Sequence, residues 1–254
     1  MKKLLVACIL VATACCGTTA SAQQPNAAIF NWTGFYAGLN AGYGWGHMTT
    51  SGFTTTPNPV GIFPSPPTVS PDGKGFLGGI QAGYNHQIGR VVIGVEADYT
   101  FSGIRGTGSG TLPFAGGAPG YHLTTVTQEI PWFATVRGRL GISPTERFLL
   151  IASAGVAYGK TQVSNSTMPI SAGTNCGNTS CAFGSASGTS SGWAAGVALE
   201  YALWQNVTIK SEYLFIDLGS RSMTYPATLS GGSTVTTKSD FQAHIVRAGL
   251  NFKI

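Results

Sequence analysis

The chain has 254 residues, of which 14 Lys plus Arg and 9 Asp plus Glu give a charged fraction of 9%, against about 25% in an ordinary globular domain. Hydrophobic residues make up an unexceptional 43%, and polarity comes instead from 36 Gly, 13 Pro and abundant Ser and Thr, which excludes a highly charged disordered tail and a coiled coil. So few charges would leave a water-soluble surface poorly solvated, which implies that one whole face of the protein does not meet water.

The N-terminal stretch, residues 1–22, reads as a cleaved signal peptide. Lys2 and Lys3 precede an apolar run from Leu4 to Ala14, and Ala20-Ser21-Ala22 has the small-x-small pattern cut by signal peptidase. Gln23 is then the first mature residue. A lipid anchor on Cys15 or Cys16 is the alternative, with Ala12 or Thr13 at the position where a larger aliphatic residue is usual. Loss of Lys2 and Lys3 leaves 12 cationic and 9 anionic residues, a net charge of +3 in place of +5. That surplus is too small to point to nucleic acid.

No apolar run of about 18 residues follows, so no transmembrane helix is expected. Strict alternation with a period of two appears instead, in eight segments. In the first, Phe35, Ala37, Leu39, Ala41, Tyr43 and Trp45 share one face, while Tyr36, Gly38, Asn40, Gly42, Gly44 and Gly46 share the other. The second sets Phe76, Ile80, Ala82 and Tyr84 against Gly79, Gln81, Gly83 and Asn85, and the third sets Val91 through Phe101 at odd positions against Glu96, Asp98 and Thr100. In the fourth, Ile130, Trp132, Ala134, Val136 and Leu140 oppose Thr135, Arg137 and Arg139. The fifth places Leu150, Ala152, Ala154, Val156 and Tyr158 opposite Ser153 and Gly155, and the sixth places Trp193, Ala195, Val197, Leu199 and Tyr201 opposite Gly196 and Glu200. The seventh sets Val207, Ile209, Tyr213 and Phe215 against Thr208, Lys210 and Glu212, and the eighth sets Val246, Ala248, Leu250 and Phe252 against Arg247 and Asn251. Eight amphipathic segments of about ten residues predict an all-β fold, an eight-stranded antiparallel up-and-down transmembrane β-barrel with long extracellular loops.

The connections alternate in the same sense. Short ones fall at 88–90, 142–147 and 202–206, and long ones at 48–75, 102–127, 160–191 and 218–239. Short turns face the periplasm in such barrels, so both termini are expected there, with residues 23–33 as a periplasmic segment and 34–254 as the barrel domain. Loop one carries Pro57, Pro59, Pro64, Pro66, Pro67 and Pro71 and loop two is Gly-rich, so both are expected to be extended and unfolded. Aromatic residues collect at both ends of the segments, as at membrane interfaces. Ten residues from Phe35 to Trp45, at about 3.3 Å each and a tilt of about 45°, rise roughly 23 Å.

On the face away from lipid lie Glu96, Asp98, Glu200 and Glu212 with Arg137, Arg139, Lys210 and Arg247, equal numbers of each sign. Arg or Lys facing lipid costs about 2–4 kcal/mol at the midplane, and a lone charge in a narrow lumen is also costly. An interior ion-pair network is therefore expected, with a filled interior and no large pore, since eight strands leave room only for side chains. In the mature chain Cys176 and Cys181 remain as a pair, which in an exported protein suggests a loop disulfide. Metal binding is the alternative, but no His or further Cys lies nearby to complete a site.

The run from Asn31-Trp32-Thr33-Gly34-Phe35-Tyr36-Ala37-Gly38 through Ala41-Gly42-Tyr43-Gly44-Trp45-Gly46, with Gly78 to Asn85, Gly94 to Asp98, Arg137 to Gly141, Lys210 to Leu214 and Val246 to Lys253, resembles the small outer-membrane immunogenic, porin-family proteins of Gram-negative bacteria. Those have an eight-strand barrel like the membrane domain of OmpA. The resemblance covers all eight segments and none of the long loops. It implies the cell outer membrane as location, contact with outer-membrane lipid and lipopolysaccharide, and folding by the barrel-assembly machinery through the C-terminal strand. It also implies host or surface ligands reached through the loops. The family usually ends in an aromatic residue, whereas Ile254 ends this chain and Phe252 keeps the preceding aromatic.

Signatures of chemistry are weak. Gly159-Lys160-Thr161 lacks the earlier Gly and the helix of a phosphate loop, and Gly188 to Gly192 matches a nucleophile elbow only in a Ser/Gly-rich stretch. His47, His86, His122 and His244 show no metal-ligand spacing. No catalytic residue, no metal and no cofactor is expected. The alternatives are a haem or small-ligand binder using His47 or His122 in outer loops, a narrow channel, or a lipid-modifying barrel enzyme. The reading favoured is a non-enzymatic barrel contributing to envelope integrity and surface interaction.

Overall fold

A computed structural model of the chain describes residues 30–56, 68–113, 121–170, 176, 181–226 and 234–254. The signal segment with Cys8, Cys15 and Cys16, most of the periplasmic segment, and Pro57 to Pro67 lie outside the described residues. Eight strands form a closed antiparallel ring in chain order: β1 Gly34–Thr56, β2 Asp72–Ile88, β3 Val91–Pro113, β4 Tyr121–Ile142, β5 Phe148–Ile170, β6 Ala182–Ala202, β7 Val207–Pro226 and β8 Thr234–Lys253. The three short turns fall where the sequence places them. Between β2 and β3 the turn has two residues, and Gly89 takes a left-handed φ of 62° that a side chain would resist.

The ring fixes its own dimensions. Following paired residues outward from Phe35 to Tyr84, Val95, Gly138, Ala154, Ala195, Phe215 and His244 returns to β1 at Trp45, ten residues above the start. A shear of ten over eight strands, with strands about 4.8 Å apart and a rise of about 3.3 Å, gives a tilt of about 41° and a radius of about 8 Å. Phe35 and Trp45 are then about 25 Å apart along the axis. Two aromatic girdles mark these levels. Phe35 packs on Tyr84 and Phe148 on Tyr201 at the turn end, both with centroids 4.7 Å apart; Tyr99 stacks on Trp132 at 5.4 Å and Trp193 meets Phe215 at 5.1 Å at the loop end. Between the girdles the outward side chains are apolar and exposed, including Leu39, Ile80, Val95, Val136, Val197 and Leu250.

The strands run on well past the loop-end girdle, which corrects the expectation of ten-residue strands and unfolded loops. They are 17–23 residues long, so the barrel stands about 50 Å tall. The Gly-rich stretch 102–127 is mostly paired strand, with Gly106 opposite Gln128 and Thr111 opposite Leu123. The physical reason is that β-branched Thr favours the sheet while its hydroxyl suits water, so the outer face turns polar without ending the strand. Thr107 and Thr127 hydrogen-bond across strands at 3.1 Å, and Thr224 and Thr236 at 2.9 Å.

Above the loop-end girdle the interior is apolar. Met48, Ile104, Val126, Ile130, Phe133, Val163, Leu218, Met223 and Phe241 belong to one buried cluster. Ile130 was expected on the lipid face and instead points inward. Its strand changes phase at Pro131, where the β4–β5 register shifts between Glu129 and Trp132, because proline cannot donate to the ladder. Further shifts lie between Ser51 and Thr54, Phe101 and Ile104, and Asp217 and Ser220, all at or above the girdle.

At the turn end, Phe30 and Trp32 fold back under the ring and cluster with Val92, Leu149, Ile151 and Ala202. Gln87 Oε1 accepts from the Trp32 backbone at 2.8 Å, and Lys253 lies 5.6 Å over the Phe30 ring. The lumen is thus floored by apolar side chains.

If Ile130 packs inside a folded upper barrel, Ile130→Ala should cost about 2–5 kcal/mol, read as a lowered urea midpoint of the refolded protein. Thr127→Ala on the outer wall should stay within about 0.5 kcal/mol. Equal small effects at both positions would contradict this packing.

Candidate functional site

Between the floor and the upper apolar core, inward positions of five strands bring all eight predicted charges into one buried cluster. The sheet register does most of the positioning. Glu96 on β3 lies directly opposite Arg137 on β4, Glu200 on β6 opposite Lys210 on β7, and Glu212 on β7 opposite Arg247 on β8.

Arg137 lies at the centre. Its Nη2 donates to Glu96 Oε1 at 2.7 Å and to Asp98 Oδ2 at 3.2 Å, and its Nη1 donates to Glu212 Oε1 at 2.6 Å. Arg247 closes the far side, with Nε 2.6 Å from Glu212 Oε2 and Nη1 3.1 Å from Asp98 Oδ1. Below, Arg139 joins Glu96 at 3.0 Å to Glu200 at 2.8 Å, and Lys210 Nζ donates to both Glu96 oxygens at 3.0 and 2.9 Å. Four acids meet four cations, so the cluster is neutral as a whole, and each charge has a partner of opposite sign at contact distance. Burial of unpaired ions at this depth would cost several kcal/mol each.

Neutral side chains complete the cluster; sequence reasoning set them on the inward face of their strands but did not assign them to the cluster. Tyr36 Oη donates to Glu96 Oε2 at 2.8 Å and accepts from Arg139, whose guanidinium lies 5.1 Å over the Tyr36 ring. Thr135 donates to Asp98. Asn251 donates to Glu200 Oε1 at 2.9 Å and accepts from Gln81, which in turn accepts from Asn40 at 3.2 Å. Inward parity was the available signal, since each occupies the same phase of its strand as a charged residue or an inner-wall glycine. Gly83 makes room for Tyr36, because a Cβ there would stand 2.4 Å from the tyrosine hydroxyl.

Other candidates do not converge. His47 lies on the outer wall of β1, 3.2 Å from Asp72 Oδ1, whereas His122 is buried on the inner wall of β4, and burial lowers its pKa below the ordinary imidazole value. Neither stands in a loop, and they lie on opposite faces of the sheet. Gly159 to Thr161 lies inside β5 and Gly188 to Gly192 inside β6, with no turn or helix at either. Cys176 and Cys181 are joined as a disulfide with Cα atoms 5.4 Å apart. Among the described residues, no group of three or more His, Cys, Asp or Glu is placed to hold a metal.

Comparison with known proteins places this geometry in context. The family described as outer membrane protein beta-barrel domain matches residues 9–253. The 31 kDa outer-membrane immunogenic protein of Brucella melitensis is 34% identical over 269 aligned positions that cover 100% of both chains. A 22 kDa outer membrane protein of Rhizobium leguminosarum is 27% identical, with 75% of this chain and 66% of the relative covered. Among solved structures, OprG from Pseudomonas aeruginosa shares the fold with a TM-score of 0.51 and 13% identity, over 87% of this chain and 97% of that one.

Arg137→Met should destabilise the barrel by about 3–5 kcal/mol, because it leaves four carboxylates facing three cations in a dry lumen. Arg137→Met combined with Glu96→Met restores neutrality and should recover part of that loss, measured as a double-mutant cycle in urea. A single-variant cost below about 1 kcal/mol would show that water, and not Arg137, holds these acids.

Proposed function

The chain belongs to the outer membrane β-barrel family, and from that premise we propose that it is a closed, non-enzymatic barrel of the cell outer membrane that contributes to envelope integrity and carries a surface for contact outside the cell. The observation that carries this reading is the filling of the lumen at three successive levels. Phe30 and Trp32 lie at the floor, the neutral charge cluster around Arg137 lies above them, and the apolar cluster around Ile104, Phe133 and Phe241 lies above that. Each guanidinium in the cluster spans two strands or more, so the ion pairs act as a plug and as a brace across the ring.

The exterior reading rests on height. About half of every strand except β2 stands beyond the loop-end girdle, with outward side chains polar at Thr107, Ser109 and Thr127, and this wall holds the loops roughly 25 Å above the lipid. Relatives that carry the word immunogenic in their names fit a protein displayed in this way. For partners, we propose outer-membrane lipid and lipopolysaccharide along the wall between the girdles, the assembly machinery at the β8 end with Phe252, and surface ligands at the loops.

Purified protein in a planar bilayer should give no steady conductance of nanosiemens order, and Arg137→Met or Phe30→Ala should raise leakage. Steady nanosiemens conductance from the wild type would overturn the plugged reading.

A further inference from the structure

Just above the loop-end girdle, Lys74 on β2 and Arg105 on β3 are direct cross-strand partners, and both are exposed on the outer wall. Like charges placed opposite one another weaken a sheet, and nothing in the packing requires them there. Arg105 shares Glu129 on β4, its Nε 3.1 Å from Oε1, while Lys74 makes no ion pair among the described residues. A third cation, Lys160, faces outward opposite Trp132. This arc of the rim from β2 to β5 therefore carries three cations for two acids, Glu129 on Arg105 and Asp72 beside His47, and Lys74 has no acid in contact among the described residues. On the β7–β8 arc at the same level the charge is Asp217, which accepts from Gln242 at 3.0 Å.

Height decides what this patch meets. Lys74 lies two residues beyond Phe76, and in the paired row it follows Trp45. The row climbs about 3 Å per strand, which places Lys74 and Arg105 about 3 and 6 Å above Trp45, at the level of lipid headgroups. Beneath them Phe76 and Phe101 are exposed aromatic surface facing the hydrocarbon. Two adjacent cations over an apolar wall match an amphiphile with an anionic head, and a phosphate accepts from guanidinium and ammonium together.

We propose that Lys74 and Arg105 clamp a phosphate group of the glycolipid in the outer leaflet, with its acyl chains against the Phe76 and Phe101 wall. This rests on the reading that the wall contacts lipopolysaccharide, and it names the residues that do so. The phosphate supplies the counter-charge that Lys74 lacks and that Arg105 has only from Glu129, so the bound lipid stabilises this edge of the sheet.

Native mass spectrometry of the purified protein in detergent, titrated with bisphosphorylated lipid A, tests the clamp. Lys74→Gln/Arg105→Gln should weaken binding at least tenfold and remove most of its salt dependence. Lys74→Arg/Arg105→Lys and the control Lys238→Gln, an exposed cation on β8 far from the patch, should bind as wild type does, and enzymatically dephosphorylated lipid A should bind wild type no better than the Gln pair binds the intact lipid. Millimolar inorganic phosphate should not compete, because the acyl chains contribute. Heat-dependent gel migration verifies that each variant is folded, and the single variant Lys74→Gln serves if the pair is not. Binding of the Gln pair within twofold of wild type overturns the clamp while leaving lipid contact intact, as does equal loss in the control. A wild type that holds no lipid A overturns both the clamp and the reading beneath it.

Discussion

Hydrocarbon offers no partner to a backbone N–H or C=O, and each one left unpaired costs several kcal/mol. A sheet meets that constraint only by closing on itself, and closure of eight strands with a shear of ten sets the tilt, the radius and the 25 Å spacing of the girdles together. The distribution of irregularities follows from the same constraint. Every register shift in the sheet, and Pro131 with them, lies at or above the loop-end girdle, where water reaches a ladder group that a bulge leaves free. Between the girdles the pairing runs without interruption.

The membrane-spanning and projecting halves of the same strands are inverted copies of each other. Between the girdles the outer face is apolar and the inner face polar; beyond them the outer face carries Thr, Ser, Arg105 and Glu129 while Met48, Val126, Ile130 and Phe133 fill the inside. The upper half is held by ordinary hydrophobic burial from water, with hydroxyl and amide links threaded through it, such as Gln128 to Thr50 at 2.5 Å and Thr50 to Ser239 at 2.8 Å. The lower half gains nothing from packing apolar residues against lipid, so there the backbone ladder and the interior cluster carry the cohesion. Because each strand crosses both halves, neither opens without the other.

Legibility in the sequence divides along the same line. Between the girdles the contrast across the sheet is large, hydrocarbon on one side and charge on the other, so strict alternation located every strand there, all three short turns and all eight buried charges. Beyond the girdles the contrast falls, because Thr and Ser on the outside resemble loop composition, and the paired stretches 102–113 and 121–127 read as loop. Ile130 was misplaced because alternation carried past Pro131 cannot show a change of phase. Phe30 and Trp32 were invisible as a floor because they lie outside any strand, and their packing depends on a mouth assembled from Val92, Leu149, Ile151 and Ala202, all far away along the chain.

The charge cluster raises the question of why the lumen is not simply greasy, since buried ion pairs often stabilise no better than well-packed apolar side chains. In lipid the comparison differs. An apolar inner face would make both faces of every strand apolar, and a one-residue slip, which exchanges the two faces, would then cost little. With Arg137, Arg139, Lys210 and Arg247 on the inside, the same slip drives cations into hydrocarbon at about 2–4 kcal/mol each at the midplane and separates them from Glu96, Asp98, Glu200 and Glu212. The penalty falls on β4, β7 and β8 directly and on β3 and β6 through their lost partners. The cluster therefore specifies register around most of the ring, and the small charged fraction of the chain is spent where a wrong pairing would otherwise go unopposed.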